Sequence, residues 1–127
     1  MSTFTYRPRK WDIVLCAFPD RDPKFPGRKL RPALVTGVVG NQITVVAGTS
    51  RKTGLFARRY PGEVIVGTRC GMLRKTRFQI EREMTLPYNR IWFASPSGAR
   101  SDSPQIGRVD SWFARVRFWL ARLELEQ

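Results

Sequence analysis

The chain of 127 residues, 42% of them hydrophobic, suffices for one folded domain. Its 23 Lys and Arg face only 10 Asp and Glu, so a formal charge of +13 repels itself until a polyanion binds, and nucleic acid, an acidic protein or an anionic membrane surface are the classes of partner this allows. There is no histidine and there are two isolated cysteines, Cys16 and Cys70, which excludes Ser-His catalysis, His-ligated zinc and a structural zinc site.

Residues 1–10 are polar and basic and read as a loose lead-in without an apolar signal core. No run of about eighteen apolar residues occurs, so a cytoplasmic protein with no membrane span is expected. In that setting both cysteines should be free, buried and reduced. Asp12 to Phe18 is an apolar run of strand length, ended by Pro19. The Pro-rich basic stretch 19–29 is an exposed loop. Residues 32–39 and 42–47 form two strands about a Gly40-Asn41 turn. A second basic loop covers 48–61, a short strand 63–66, and a third basic loop 67–75.

Thr76 to Arg82 alternates polar with apolar, as a half-buried strand does. Ile91 to Ala94 is a further candidate strand, and 95–104 a Ser-, Gly- and Pro-rich loop. From Asp110, a candidate N-cap, the period changes. Trp112, Phe113, Val116, Trp119, Leu120 and Leu123 recur at spacings of three and four, one face of a helix over 110–126. That stripe is expected to cover the sheet, with Phe118 off it and available to a partner, and Arg115 and Arg122 away from its centre. Trp11 and Trp92 are expected in the core. Short strands followed by one helix predict a β-rich α+β domain or small β-barrel, a single unit over 1–127.

The hairpin carries a geometric expectation. A turn at Gly40-Asn41 sets Arg31 opposite Ser50 and beside Thr49, within one residue of register. A guanidinium beside two hydroxyls offers paired donors and positive charge, a seat for a phosphate.

The stretch WDIVLCAFPDRDPKFPGRKLRPALVTG resembles the opening of the MazF/PemK (Kid-like) toxins: a "DIV" strand, a Gly- and Pro-containing loop, then "RPALV". VVAGTS matches the Thr-Thr or Thr-Ser ending of that family's next strand. GMLRKTRFQIER and QIGRV resemble its later segments, so the likeness covers roughly residues 11–125. It implies an SH3-like barrel of the CcdB/MazF/PemK type with a C-terminal helix, usually a homodimer. It also implies metal-independent, cofactor-free, sequence-selective cleavage of single-stranded RNA, blocked by an acidic cognate antitoxin.

By this resemblance Arg31 matches the catalytic arginine, Thr49 the catalytic threonine and Ser50 a second hydroxyl. Arg77 matches the arginine of an R-x-D pattern. Three positions depart: Gln79 stands for the aspartate, the loop from Lys24 to Lys29 has no glutamate, and Trp11 replaces the usual glycine. Glu81 and Asp22 are then the carboxylates left as candidate bases.

RNA brings its own nucleophile, the 2′-hydroxyl. Arg31 would stabilise the charged phosphorane and Thr49 and Ser50 would hold oxygens in line, giving 2′,3′-cyclic phosphate and 5′-hydroxyl ends. Arg77 would add charge stabilisation. Lys24, Arg28, Lys29, Arg51, Arg58 and Arg59 are candidate phosphate contacts. Phe25, Phe56 and Tyr60 are candidate stacking platforms, and Gln79 a further RNA contact. Two other readings are a catalytically silent nucleic-acid-binding module and a gyrase poison of the CcdB kind, which would act through the terminal helix and not through Arg31.

Overall fold

The computed structural model describes residues 4–51, 53, 58–67, 70, 74–96 and 102–126. Six antiparallel strands and one helix follow in chain order: β1 (Asp12–Cys16), β2 (Arg31–Val39), β3 (Gln42–Thr49), β4 (Glu63–Val66), β5 (Thr76–Pro87), β6 (Gln105–Arg108) and α1 (Trp112–Leu125). The sheet runs in the order β4-β5-β3-β2-β1-β6. This is a β-rich α+β architecture with a C-terminal helix. No helix among the described residues is long and apolar enough to cross a membrane.

Strands β1, β2 and β3 read as largely continuous apolar runs because both faces of the sheet are covered there. Val14, Ala33, Val35, Val45 and Ala47 join Phe4, Phe18, Tyr88 and Phe93 on one side. Ile13, Leu34, Val46, Phe78 and Ile80 join Val109, Phe118 and Ala121 of the other. Expected strand ends move by a few residues: β1 stops at Cys16 and β5 continues to Pro87. Ile91–Ala94 contributes only an isolated bridge, Cys16 to Phe93, whereas β6 forms a strand that local composition did not announce. β6 pairs with β1, so a partner distant in sequence, not propensity, makes it a strand.

The β2–β3 hairpin turns at Gly40-Asn41 with Gly40 at φ 58°, the left-handed position that glycine occupies without strain. Near the turn Val39 faces Gln42 and Gly37 faces Thr44. A bulge at Thr36 then shifts the register by one, and Ala33 faces Ala47. The Thr36 hydroxyl donates to Glu83 (2.9 Å) and to the Thr44 carbonyl (3.3 Å), which anchors the bulge. Continued to the strand ends, this register sets Arg31 across from Thr49 rather than Ser50.

Three expectations are corrected. The lead-in is docked: Phe4 is in the core, Arg90 lies 4.3 Å over its ring, and the Tyr6 hydroxyl donates to Asp12 (2.5 Å). The helix N-cap is Ser111, whose hydroxyl accepts from the Ala114 N–H, not Asp110. Above all, α1 buries the opposite stripe. Phe118 is 5% exposed and Ala121 is buried, while Trp112 and Phe113 are 72% and 76% exposed.

Alanines at 114 and 121 let the helix lie close to the sheet, and Phe118 wedges against Phe78 at 5.8 Å. Polar contacts fix the remaining edge: Arg115 donates to the Val109 carbonyl, Arg117 to that of Ile65, and Arg122 to Glu83. The helical period was legible in the chain; the face was not, because hydrophobicity alone ranks tryptophan above alanine.

Trp11 is half-buried against this helix, its ring 5.9 Å from Phe118. It sits at φ 80°, a left-handed conformation that favours glycine. The strain, about 1–2 kcal/mol, is offset by that packing and by two backbone bonds: its N–H to the Val35 carbonyl and its carbonyl from the Val109 N–H, both 2.8 Å. Trp92 packs, half-buried, on the other core. Both cysteines are free; Cys16 is buried, which pushes its thiol up to about 12, while Cys70 is only half-buried.

Candidate nucleic-acid interface

The ends of β2 and β3 open into a cavity of about 850 Å³. Arg31 and Pro32 come from β2, Gly48 and Thr49 from β3, and Ser50 and Arg51 from the residues that follow. Lys29 and Leu30 from the loop before β2, Arg74 just before β5 and Thr76 at its start, Leu15 of β1, Gln105 and Ile106 of β6, and Pro96 complete the lining. Thr49 Oγ1 accepts from the Arg51 N–H (3.2 Å), which holds the hydroxyl at the strand end.

The juxtaposition depends on Gly48. A Cβ there would lie 2.9 Å from the Pro32 carbonyl oxygen and 2.7 Å from Thr76 Cγ2. We therefore expect Gly48→Ala to separate β3 from β2 at the cavity floor, lowering stability by about 1–3 kcal/mol and displacing Thr49. Thermal melting beside an RNA-binding titration checks this, and an unshifted melt would show that the strands accommodate the methyl group.

The electrostatics are one-sided. Lys29, Arg31, Arg51 and Arg74 line the cavity, and no Asp or Glu stands among its described lining residues. Acidic side chains are engaged elsewhere: Asp12 with Arg108, Glu63 with Arg77, Glu83 with Arg122, Asp102 with Arg90, and Glu124 with Arg59. Among the described residues no group of three His, Cys, Asp or Glu is placed to hold a metal ion.

Of the residues singled out in the sequence, Arg31, Thr49, Ser50, Lys29 and Arg51 converge here. Arg77 does not. It is 4% exposed, its guanidinium meeting Glu63 at 2.5 Å and donating to the Arg58 carbonyl at 2.8 Å. Gln79 donates to the other oxygen of Glu63 (3.1 Å). The pairing explains this: Glu63 faces Gln79 and is diagonal to Arg77 on the same side of the β4–β5 ladder. Burial pushes the Glu63 carboxyl up, but the Gln79 amide, the Tyr60 N–H and Arg77 together hold it below the usual carboxylate range.

Arg59 is likewise removed from the cavity by a bidentate pair with Glu124 (2.6 and 2.9 Å). Arg58 lies over the Tyr60 ring, and Tyr60 itself is exposed. Phe25 and Arg28 line a separate hollow in the first loop with Asp20 and Asp22, and the Lys24 N–H donates to Asp22. Asp22 and Glu81, the candidate bases, are not among the cavity's lining residues. Phe56 lies outside the described residues.

The residues that sequence reasoning missed are Arg74, Thr76 and Gln105. Arg74 and Thr76 begin the segment that contains Arg77, and the hydroxyl of Thr76 donates back to the Arg74 carbonyl (3.3 Å). Strict alternation along β5 was the available signal, since it separates Thr76 from Arg77.

A comparison with protein-family models matches none. A comparison with curated proteins likewise gives no match.

Proposed function

We propose that the protein is a sequence-selective endoribonuclease toxin of the MazF/PemK kind, working in the cytoplasm, with its sheet and helix forming the SH3-like barrel of that family. The observation that carries this reading is the cationic cavity in which Arg31 and Thr49 stand together with no carboxylate among the described lining residues. Such a cavity attracts a phosphodiester. It also suits an acidic antitoxin segment lying in the same place as the substrate.

The chemistry needs little from the protein. The RNA 2′-hydroxyl gives up its proton to solvent as it attacks the adjacent phosphorus, the bond to the 5′-oxygen breaks, and that oxygen leaves with a proton taken from solvent, so the two transfers cancel. Arg31 stabilises the doubly charged phosphorane, Thr49 and Ser50 hold its oxygens, and Arg74 takes the place intended for Arg77 as the further cation. Incubation with a long single-stranded RNA in EDTA, with mapping of the new ends, tests the assignment. Discrete cuts with cyclic-phosphate ends are expected. Intact RNA that nonetheless binds in a salt-sensitive manner would favour the catalytically silent module, which needs no carboxylate and is equally compatible with the described lining residues.

The outward stripe of α1 supports a homodimer. Trp112, Phe113, Trp119 and Leu120 are exposed along one helix, and a second copy would cover them. Sedimentation should give a dimer mass, and Trp112→Glu with Phe113→Glu should give a monomer with an unchanged far-ultraviolet spectrum. A wild-type monomer at micromolar concentration would remove this partner.

A further inference from the structure

Beside its arginines the cavity is lined by apolar Leu15, Pro96 and Ile106 and by one amide, Gln105. Gln105 opens β6, and its N–H donates to the Ser103 hydroxyl (3.1 Å). Its side-chain nitrogen donates to Asp12 Oδ1 (3.1 Å) and to the Gly107 carbonyl (3.4 Å). The same Asp12 oxygen accepts from the Arg108 guanidinium (2.8 Å). Both partners of the nitrogen are acceptors, so the amide has one orientation: NH₂ toward Asp12 and Gly107.

Asp12 cannot yield, for it is fully buried and its other oxygen takes the Tyr6 hydroxyl (2.5 Å) and the Arg9 N–H (2.9 Å). Flipping the amide would set its oxygen against a carboxylate and a carbonyl. The side chain therefore offers the cavity an acceptor only, and among the described residues that oxygen has no hydrogen-bond donor.

We infer that Gln105 is a specificity-determining residue that reads one nucleobase of the bound RNA strand, selecting a base with an exocyclic amine over uracil. The inference rests on the ribonuclease reading of the cavity. With a phosphate at Arg31 and Thr49, a neighbouring base lies against Leu15, Pro96 and Ile106 and meets the Gln105 oxygen with its edge. Adenine, cytosine and guanine present an exocyclic N–H₂ there. Uracil has no exocyclic amine and offers only its imide N3–H, flanked by two carbonyl oxygens that the amide oxygen repels, so it is the weakest partner of the four bases. Gln105 touches no reacting atom, so it shifts selectivity and not the chemical step.

The test is cleavage of a randomised single-stranded RNA library by the wild type, Gln105→Ala and Gln105→Leu, with sequencing of the new ends and Arg31→Ala as the inactive control. One position near the cut should disfavour uracil in the wild type and lose that bias in both variants. Cleavage of each enzyme's best sequence should stay within a few-fold. On a defined substrate, replacing adenine at that position by purine, which lacks only the amine, should slow the wild type by roughly tenfold and leave Gln105→Ala unaffected.

Equal use of uracil by the wild type at every position near the cut, or a bias against uracil retained in both variants, would overturn the assignment. So would wild-type indifference to amine removal, a result that needs no variant to fold. Should the protein bind RNA without cutting it, the same comparisons of dissociation constants decide the role of Gln105 independently of the cleavage reading.

Discussion

Arg31→Ala is expected to lower the rate of RNA cleavage by about 10²–10³-fold, the usual loss when one preorganised donor to a developing oxyanion is removed. The geometry explains why the effect should be catalytic and not structural. Among the described residues Arg31 makes no ion pair and no side-chain hydrogen bond, although many other arginines of this chain are engaged with carboxylates. Its loss should therefore change stability by no more than about 0.5 kcal/mol. Arg31→Lys keeps the charge but not the paired donors and should recover only part of the rate.

Thr49→Ala should fall by a factor similar to Arg31→Ala, since it removes the hydroxyl that the register sets beside Arg31. Arg59→Ala is the informative control. It breaks a bond to Glu124 on α1 and should leave the chemical step nearly intact. Single-turnover cleavage of one defined oligonucleotide, beside thermal melts, separates these cases. Full activity of Arg31→Ala would remove the assigned site. Toxicity that survives Arg31→Ala and disappears when α1 is altered would instead favour the gyrase-poison reading.

Glu63→Ala should be the most destabilising of the substitutions considered, by about 3–5 kcal/mol. Its partner Arg77 is a nearly buried guanidinium, and removal of one member of a buried pair exposes the desolvation cost of the other. Tyr60 and Gln79 also lose the acceptor that orders the turn into β4. If the buried charge is the cause, adding Arg77→Met to Glu63→Ala should restore much of the loss. A double variant as unstable as the single one would show that the turn contacts dominate.

The pH dependence follows from the direction of the shift. The Glu63 carboxyl lies below its ordinary value in the folded state, and Glu83 does too, where burial raises it but Arg122 and Thr36 outweigh that. The folded state therefore binds fewer protons than the unfolded chain. The stability due to these two groups is fully present above the unfolded value of about 4.3 and is lost as pH falls through the lower folded values. Melting temperatures from pH 7 to pH 3 should be flat above about 5 and then drop. Glu63→Gln should start lower and drop less. A wild-type curve that rises on acidification would contradict the sign.

By itself the sequence determined strands β1 to β5, the hairpin about Gly40-Asn41 and the helical period after residue 110. Each is a local property, set by turn chemistry and by spacing within a dozen residues. It also determined that Arg31 and the Thr49-Ser50 pair would meet, because antiparallel pairing about a known turn is arithmetic. Even there, the choice of Thr49 over Ser50 came from a bulge at Thr36 that Glu83, far along the chain, helps to hold. The docking of residues 4–10 on the core likewise came from distant contacts, with Tyr88 and Asp102.

Only the tertiary structure decided which cations face the cavity. Arg59 and Arg77 look in the sequence like Arg31 and Arg51, and they differ because Glu124 and Glu63 reach them in space. The face of α1 was decided in the same way: sheet side chains leave room for Ala114, Phe118 and Ala121 in close approach, and the larger aromatics turn outward. Spacing along a chain records which residues can share a face. It does not record what stands opposite that face, and shape and charge at the opposing surface selected both the helix stripe and the cations of the site.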